Sequence, residues 1–162
     1  IRDSQAKQVD AVLNAVEVLS GMRRGALISF VRSVGLKSIV DRGTPLGADI
    51  SSAMVLTIFG HDTPLHDGGI IIERGKIVSG GCFYPLSDQS SIKKSFGTRH
   101  RAALGLAEES DAVTIIVSEE TGAVSLTYNS TLFYDLSLEE VRLRLRDLLE
   151  FREAPEEVVS EN

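Results

Sequence analysis

The sequence predicts a single domain of the α/β class, and three observations carry that expectation. A chain of 162 residues is long enough for one domain with a sizeable core and short for two. Apolar residues recur at helical spacing near both ends: Val9, Val12, Leu13, Val16 and Leu19 first, then Leu138, Val141, Leu145, Leu148 and Leu149. Between them, β-rich apolar runs bounded by glycine or charge fall at 26–31, 70–73, 76–82, 112–117 and 123–128. With 43% hydrophobic and 25% charged residues, the composition fits an ordinary globular protein. No internal repeat and no linker divides the chain.

In chain order, residues 4–20 read as a packing helix with a polar outer face, and also as a connector to anything upstream. Met22-Arg23-Arg24-Gly25 leads into the strand at 26–31, and its two arginines read as a solvated strand entrance in preference to a place near a phosphate. Residues 35–47 are mixed, with a short helix at 36–40 and a break at Thr44-Pro45. Asp49 and Ser51 are the available caps for a helix carrying Met54, Val55, Ile58 and Phe59, which Gly60 ends. The polar loop 61–67 then runs into Gly68-Gly69, where the backbone is free to approach a neighbour closely. Arg74-Gly75 between two β runs marks a hairpin, and Gly80-Gly81 leave its second arm with little bulk.

Phe83-Tyr84-Pro85-Leu86 leaves the sheet with aromatic surface, and residues 87–91 form a polar loop. Residues 98–109 read as a helix with Thr98 as its N-cap. The nearly uniform apolar run at 112–117 is an interior strand, and Ser118-Glu119-Glu120-Thr121-Gly122 turns it into the strand at 123–128. Ser137-Leu138-Glu139-Glu140 is a capping box for the last helix. The polar, acidic residues 152–162 are expected to fray.

A net charge of −6 argues against nonspecific binding to duplex nucleic acid, which needs a broad basic surface. The single Cys82 cannot form an internal disulfide, so a reducing compartment is expected. No apolar run reaches the roughly 18 residues that cross a bilayer. The chain begins at Ile1 rather than Met, so a further segment is expected upstream.

Within this acidic chain, Gly97-Thr98-Arg99-His100-Arg101 is a local basic cluster. It places two arginines in the first turn of a helix, where the dipole favours acids. A bound anion reverses that argument: free backbone N–H groups, a hydroxyl and two guanidinium forks make a phosphate site. The plainer alternative is a solvated basic turn. Asp67 stands at a strand entrance, where a carboxylate can orient or deprotonate a hydroxyl. Glu119 and Glu120 at a strand tip are either a polar turn or ligands for a hard divalent cation. Phosphoryl and nucleotidyl transfer need such a set and little more. No Gly-x-x-x-x-Gly-Lys-Ser/Thr loop is present, which excludes an ordinary P-loop enzyme.

These residues carry a resemblance. Leu65-His66-Asp67-Gly68-Gly69 and Gly97-Thr98-Arg99-His100-Arg101, with Pro85-Leu86-Ser87 and Ser118-Glu119-Glu120-Thr121-Gly122, resemble the diadenylate cyclase domain over residues 25–136. Residues 4–20 are similar to the segment that links transmembrane helices to this domain in the membrane-anchored branch of the family. The first motif departs from the usual Asp-Gly-Ala, with Gly69 in place of alanine. The resemblance implies a central mixed β-sheet flanked by helices, with residues 1–22 as connector, 23–151 as cyclase domain and 152–162 as a disordered tail. It implies that two ATP molecules condense to cyclic di-AMP with release of two pyrophosphates, between two domains face to face, assisted by Mg²⁺ or Mn²⁺. Asp67 would activate the 3′-hydroxyl, with Arg99 and Arg101 as catalytic partners. Gly68, Gly69, Thr98, His100 and Ser118 would line the ATP site, Phe83 and Tyr84 the adenine pocket, and His66 and Glu120 would bind metal. Homodimerisation, no nucleic-acid partner and a place at the cytoplasmic face of a bacterial membrane follow as expectations. Two rivals stand beside this reading. One is an inactive nucleotide-binding regulatory module, suggested by Gly69; the other is a metal-dependent phosphohydrolase, suggested by His61 and His66-Asp67.

Overall fold

The computed structural model describes residues 2–149 except 91, 93 and 95; the tail expected at 152–162 lies outside the described residues. Helix α1 (Arg2–Gly21) leads into strand β1 (Ala26–Phe30), which is buried along its whole length. Helix α2 (Lys37–Arg42) and strand β2 (Thr44–Asp49) follow, then helix α3 (Ser52–Ile58). Strands β3 (Gly69–Glu73) and β4 (Lys76–Cys82) form the expected hairpin around Arg74 and Gly75, whose φ of 51° and 76° suit a tight two-residue turn. Helix α4 (Thr98–Glu109) precedes strands β5 (Val113–Val117), β6 (Val124–Tyr128) and β7 (Thr131–Phe133), and helix α5 (Leu138–Leu148) is the last element among the described residues.

The seven strands make one mixed sheet in the order β2-β4-β3-β1-β5-β6-β7, as an α/β domain with a central sheet requires. Only β1 and β3 are parallel; every other pair is antiparallel. Alternation along the strands splits the core between the two faces. Ile28, Ile70, Ile115 and Val117 face α1, α3 and α5 through Val12, Val16, Val55, Ile58, Val141 and Leu145. Leu27, Ile71 and Ile116 face the other way, against Ala102, Ala103 and Leu106 of α4 and Leu36 before α2. Helix α1 is therefore a packed layer of the domain.

Three local expectations need correction. Thr44-Pro45 is the start of strand β2, and no break: β2 is an edge strand, where proline's missing N–H costs little. Asp49 belongs to that strand and pairs with Lys76 at 2.6 Å, so Ser51 alone caps α3, accepting from the Met54 N–H at 3.0 Å. Thr98 is the first residue of α4; the cap position is Gly97, and no side chain bonds the exposed N–H groups there.

Register decides where chemistry can collect. Gly69 lies opposite Cys82, and Ala26 opposite Val117, while β1 and β3 run in the same direction. The starts of β1 and β3 and the ends of β4 and β5 therefore share one end of the sheet. At the opposite end, the Asp111 carboxylate accepts from the Ser33 N–H at 3.0 Å and the Val34 N–H at 2.9 Å, tying the β1–α2 turn to the start of β5. Partial burial opposes its charge, but these hydrogen bonds outweigh burial and hold the carboxyl below its ordinary pKa. That stabilisation is present above the unfolded pKa and is lost as pH falls through the acid range. Asp111→Ala is expected to lower unfolding stability in urea by about 1–2 kcal/mol at pH 7. The difference between variant and parent should shrink below pH 4.

Candidate functional site

At that shared end of the sheet lies a cavity of about 670 Å³, within the range of small-molecule sites. Its lining comes from the loop before β3, the start of α4 and the acidic loop after β5. Phe83, Leu86 and Tyr134 border it as exposed apolar side chains.

The Asp67 wall is set by close packing. A Cβ on Gly68 would press on the Gly81 and Cys82 backbone at 2.6–2.8 Å, so only glycine lets this segment lie against β4. A Cβ on Gly69 would run into the Tyr84 hydroxyl. That hydroxyl is buried and shares a 2.7 Å hydrogen bond with Ser29 Oγ, which in turn bonds Thr114 Oγ1 at 2.7 Å. Burial raises the Tyr84 phenol far above its ordinary pKa, so it stays protonated and acts as a hydrogen-bonding group. Asp67 itself is exposed, with no hydrogen bond or ion pair among the described residues.

Also in the lining, the Arg99 side chain is 20% exposed and lies over Gly25, where any Cβ would strike its guanidinium. Its Nη1 donates to Glu119 Oε1 at 3.1 Å and its Nη2 to the His66 carbonyl at 3.4 Å. Its Nε is buried without a hydrogen-bond partner among the described residues. The Glu119 side chain is 66% exposed, so this carboxylate is a counterion easily exchanged. Beside Arg99, His100 is buried and stacks on Phe96 with ring centroids 4.8 Å apart, and Tyr134 completes the aromatic group. Burial, helped by the Arg99 charge, holds the His100 pKa below its ordinary value, and its Nε2 has no partner among the described residues.

The acidic loop is organised by Ser118, whose Oγ accepts from the backbone N–H of Glu120 at 3.1 Å and of Thr121 at 3.2 Å. Ser20 Oγ on α1 donates to the Gly122 carbonyl at 2.6 Å and holds the loop to the helix. On the Asp67 wall, His66 Nδ1 lies 2.6 Å from the Thr63 carbonyl. A carbonyl only accepts, so Nδ1 carries the hydrogen, and in the neutral ring Nε2 keeps its lone pair for a metal. Among the described residues, no group of three His, Cys, Asp or Glu side chains could hold a metal alone. A cation at His66 and Glu120 would need oxygens from a ligand or water, which suits Mg²⁺ or Mn²⁺ arriving with phosphate.

The structure thus brings Asp67, Gly68, Tyr84, Thr98, Arg99 and His100 to one cavity, together with His66, Phe83, Ser118 and Glu120. Two predicted site residues are not in its lining. Gly69 sits behind Asp67 under Tyr84, and Arg101 contributes its carbonyl to the Ser87 N–H at 3.0 Å while its side chain lines no part of the cavity. The reason is helical geometry: Arg101 is two positions beyond Arg99, which turns it to a different side of α4. Sequence reasoning did not single out Glu119 as the Arg99 partner, nor Phe96 and Tyr134 as walls. Adjacent glutamates look alike in sequence, and no periodicity joins residues 96, 100 and 134.

Fold and site together define a small α/β domain with a pocket at one end of a mixed sheet that holds Arg99 beside Asp67, Glu119 and Glu120. The chain belongs to the diadenylate cyclase (DAC) domain family: the family model described as DisA bacterial checkpoint controller nucleotide-binding matches residues 13–132. The diadenylate cyclase of Listeria monocytogenes is 43% identical over 150 residues, 92% of this chain and 55% of that protein. The cyclic di-AMP synthase CdaA of Bacillus subtilis is 40% identical over 88% of this chain and 52% of its own length. A crystal structure of a DacA double mutant from Staphylococcus aureus superposes with a TM-score of 0.89 at 40% identity, covering 91% of this chain and 98% of that one. A Bacillus cereus protein described as hypothetical and membrane spanning gives 0.76 at 36% identity, covering 80% and 63%. The chain spans about half the length of the curated relatives it matches.

His100 supplies a pH test of the site. In the folded chain its neutral form is favoured, whereas an unfolded histidine titrates near pH 6.5. Lowering pH through that value protonates the unfolded state first, so stability falls as pH drops from about 7 towards 5.5. His100→Phe keeps the stacking and removes the titration. Its melting temperature should fall less than the parent's between pH 7.5 and 5.5, and an equal fall would contradict the assignment.

Proposed function

We propose that this chain is a diadenylate cyclase that condenses two ATP molecules into cyclic di-AMP and two pyrophosphates, each of two facing copies holding one ATP. The observation that supports this most is that Asp67 and Arg99, 32 positions apart in sequence, line one cavity. In the proposed reaction the Asp67 carboxylate orients the 3′-hydroxyl and accepts its proton. The O3′–Pα bond forms as the bond from Pα to the pyrophosphate oxygen breaks. Repeating the step from the opposed nucleotide closes the ring.

Arg99 and Thr98, with the uncapped N–H groups at the start of α4, hold the phosphates. Glu119 gives up Arg99 to the incoming triphosphate, and the Ser118 hydroxyl, whose oxygen already accepts two N–H groups, donates its hydrogen to a phosphate oxygen. The exposed Phe83 and the edge of Tyr84 receive the base, and the neutral His100 gives the pocket a wall without adding charge. Arg101 makes no phosphate contact in this reading. Mg²⁺ or Mn²⁺ would be held by His66 Nε2 and Glu120 with phosphate oxygens, and would supply charge neutralisation at the phosphates. Dimerisation follows from the chemistry, because one copy supplies half of an opposed pair.

Among the described residues no helix is long and apolar enough to cross a membrane. We infer an anchor upstream of residue 1 that holds the domain at the cytoplasmic face of a bacterial membrane, a reading supported by the neighbour described as membrane spanning. The phosphohydrolase reading gains nothing: His61 is exposed beside Asp62 at 3.4 Å and does not line the cavity.

Asp67→Asn preserves shape and loses charge. It should bind ATP as the parent does and lose product formation by about 10²-fold or more, measured chromatographically with ATP and Mn²⁺. Full turnover by that variant would reject the role of Asp67. Specific activity of the parent should also fall on dilution below the dimer dissociation constant, whereas a flat dilution series would exclude a shared site.

A further inference from the structure

Gly69 is the one visible departure from the motif, and its surroundings give a steric reason for it. A Cβ there would meet the Tyr84 hydroxyl first, the Tyr84 Cζ at 2.8 Å and the Leu27 carbonyl at 3.1 Å. Neither neighbour yields easily. Leu27 is central in the sheet, and the Tyr84 hydroxyl is fastened to Ser29 Oγ at 2.7 Å and to the Ile70 carbonyl at 3.4 Å. Tyr84 is 7% exposed, so its ring has nowhere else to go. On the other side, Gly68 lies against the backbone of Gly81 and Cys82. The segment that carries Asp67 is therefore gripped between β4 and the Tyr84 ring.

We propose that Gly69 and Tyr84 are a matched pair: the glycine leaves the space that the tyrosine hydroxyl fills, and Tyr84, fixed by Ser29, is a positioning residue for Asp67. On this account Gly69 is a packing requirement of this chain and no mark of lost catalysis. The inference rests on the cyclase reading for its effect on activity, but not for the packing itself. A methyl group at residue 69 pushes the ring and the strand start apart and carries Asp67 off its line, where a displacement of about 1 Å can cost about 10²-fold.

The test is a cycle built on the purified chain. Gly69→Ala should lower kcat for cyclic di-AMP at least about tenfold, with a smaller change in KM for ATP. It should also lower the melting temperature. Tyr84→Phe removes the hydroxyl and its two anchors, and Tyr84→Leu also clears the Cζ atom. G69A/Y84F should therefore be faster than G69A alone; Tyr84→Leu also removes the ring that receives the base, so G69A/Y84L is read by melting temperature and not by rate. Gly69→Ala should cost less melting temperature in the Tyr84→Phe background than in the parent. The pairing is overturned if Gly69→Ala costs the same in both backgrounds, or if G69A/Y84F does not outpace G69A. If the parent makes no cyclic di-AMP while the melting cycle is non-additive, the cyclase reading falls and the pair stands. If the parent is active while the melting cycle is additive, the pair falls and the cyclase reading stands.

Discussion

A guanidinium held mostly out of water, with one exposed carboxylate as its charged partner, is the interaction on which the site depends. Desolvating Arg99 is costly unless an anion is close, and the chain supplies Glu119, whose side chain is mostly exposed. Gly25 makes the seat for that guanidinium, and the start of α4 brings uncapped N–H groups to the same place. Positive charge is thus assembled in advance of a ligand, and the counterion that satisfies it is replaceable. An exposed carboxylate on a mostly buried arginine is an ion pair that a phosphate could replace under the proposed function.

Strand register brings Asp67 and Arg99 to one cavity. Parallel pairing of β1 and β3 aligns their starts, and antiparallel pairing brings the ends of β4 and β5 beside them. Asp67 is placed by backbone packing, through Gly68 on β4 and Gly69 under Tyr84, and by no hydrogen bond of its own among the described residues. Its backbone is held while its carboxylate stays exposed, the arrangement that the proposed role of Asp67 calls for.

Much of the fold was legible because burial leaves a periodic trace. The stripes in α1 and α5, the β3–β4 hairpin and the nearly uniformly apolar β5 all lie where spacing put them. The edge strands were not legible: β2 begins at a Thr-Pro pair and exposes most of its residues, and β7 has three residues, so neither alternates clearly. The site followed the same rule. The motifs at 65–69, 97–101 and 118–122 were legible as short runs outside the apolar pattern, and the structure brings most of their residues to one cavity. Direction was harder to read. That Arg101 turns away from the cavity and that Glu119 holds Arg99 depend on helix phase and loop conformation, and Gly69 acquires its meaning only when Tyr84 is seen above it.

If a triphosphate takes the place of Glu119 on Arg99 and faces Asp67, a crystal structure of the chain with a non-reacting ATP analogue and Mn²⁺ will show it. Phosphate oxygens should lie on Arg99 Nη1 and on the first N–H groups of α4, with Glu119 turned away and the ribose directed towards the Asp67 side of the cavity. An analogue bound with the Arg99–Glu119 pair intact and its phosphates elsewhere would refute the exchange.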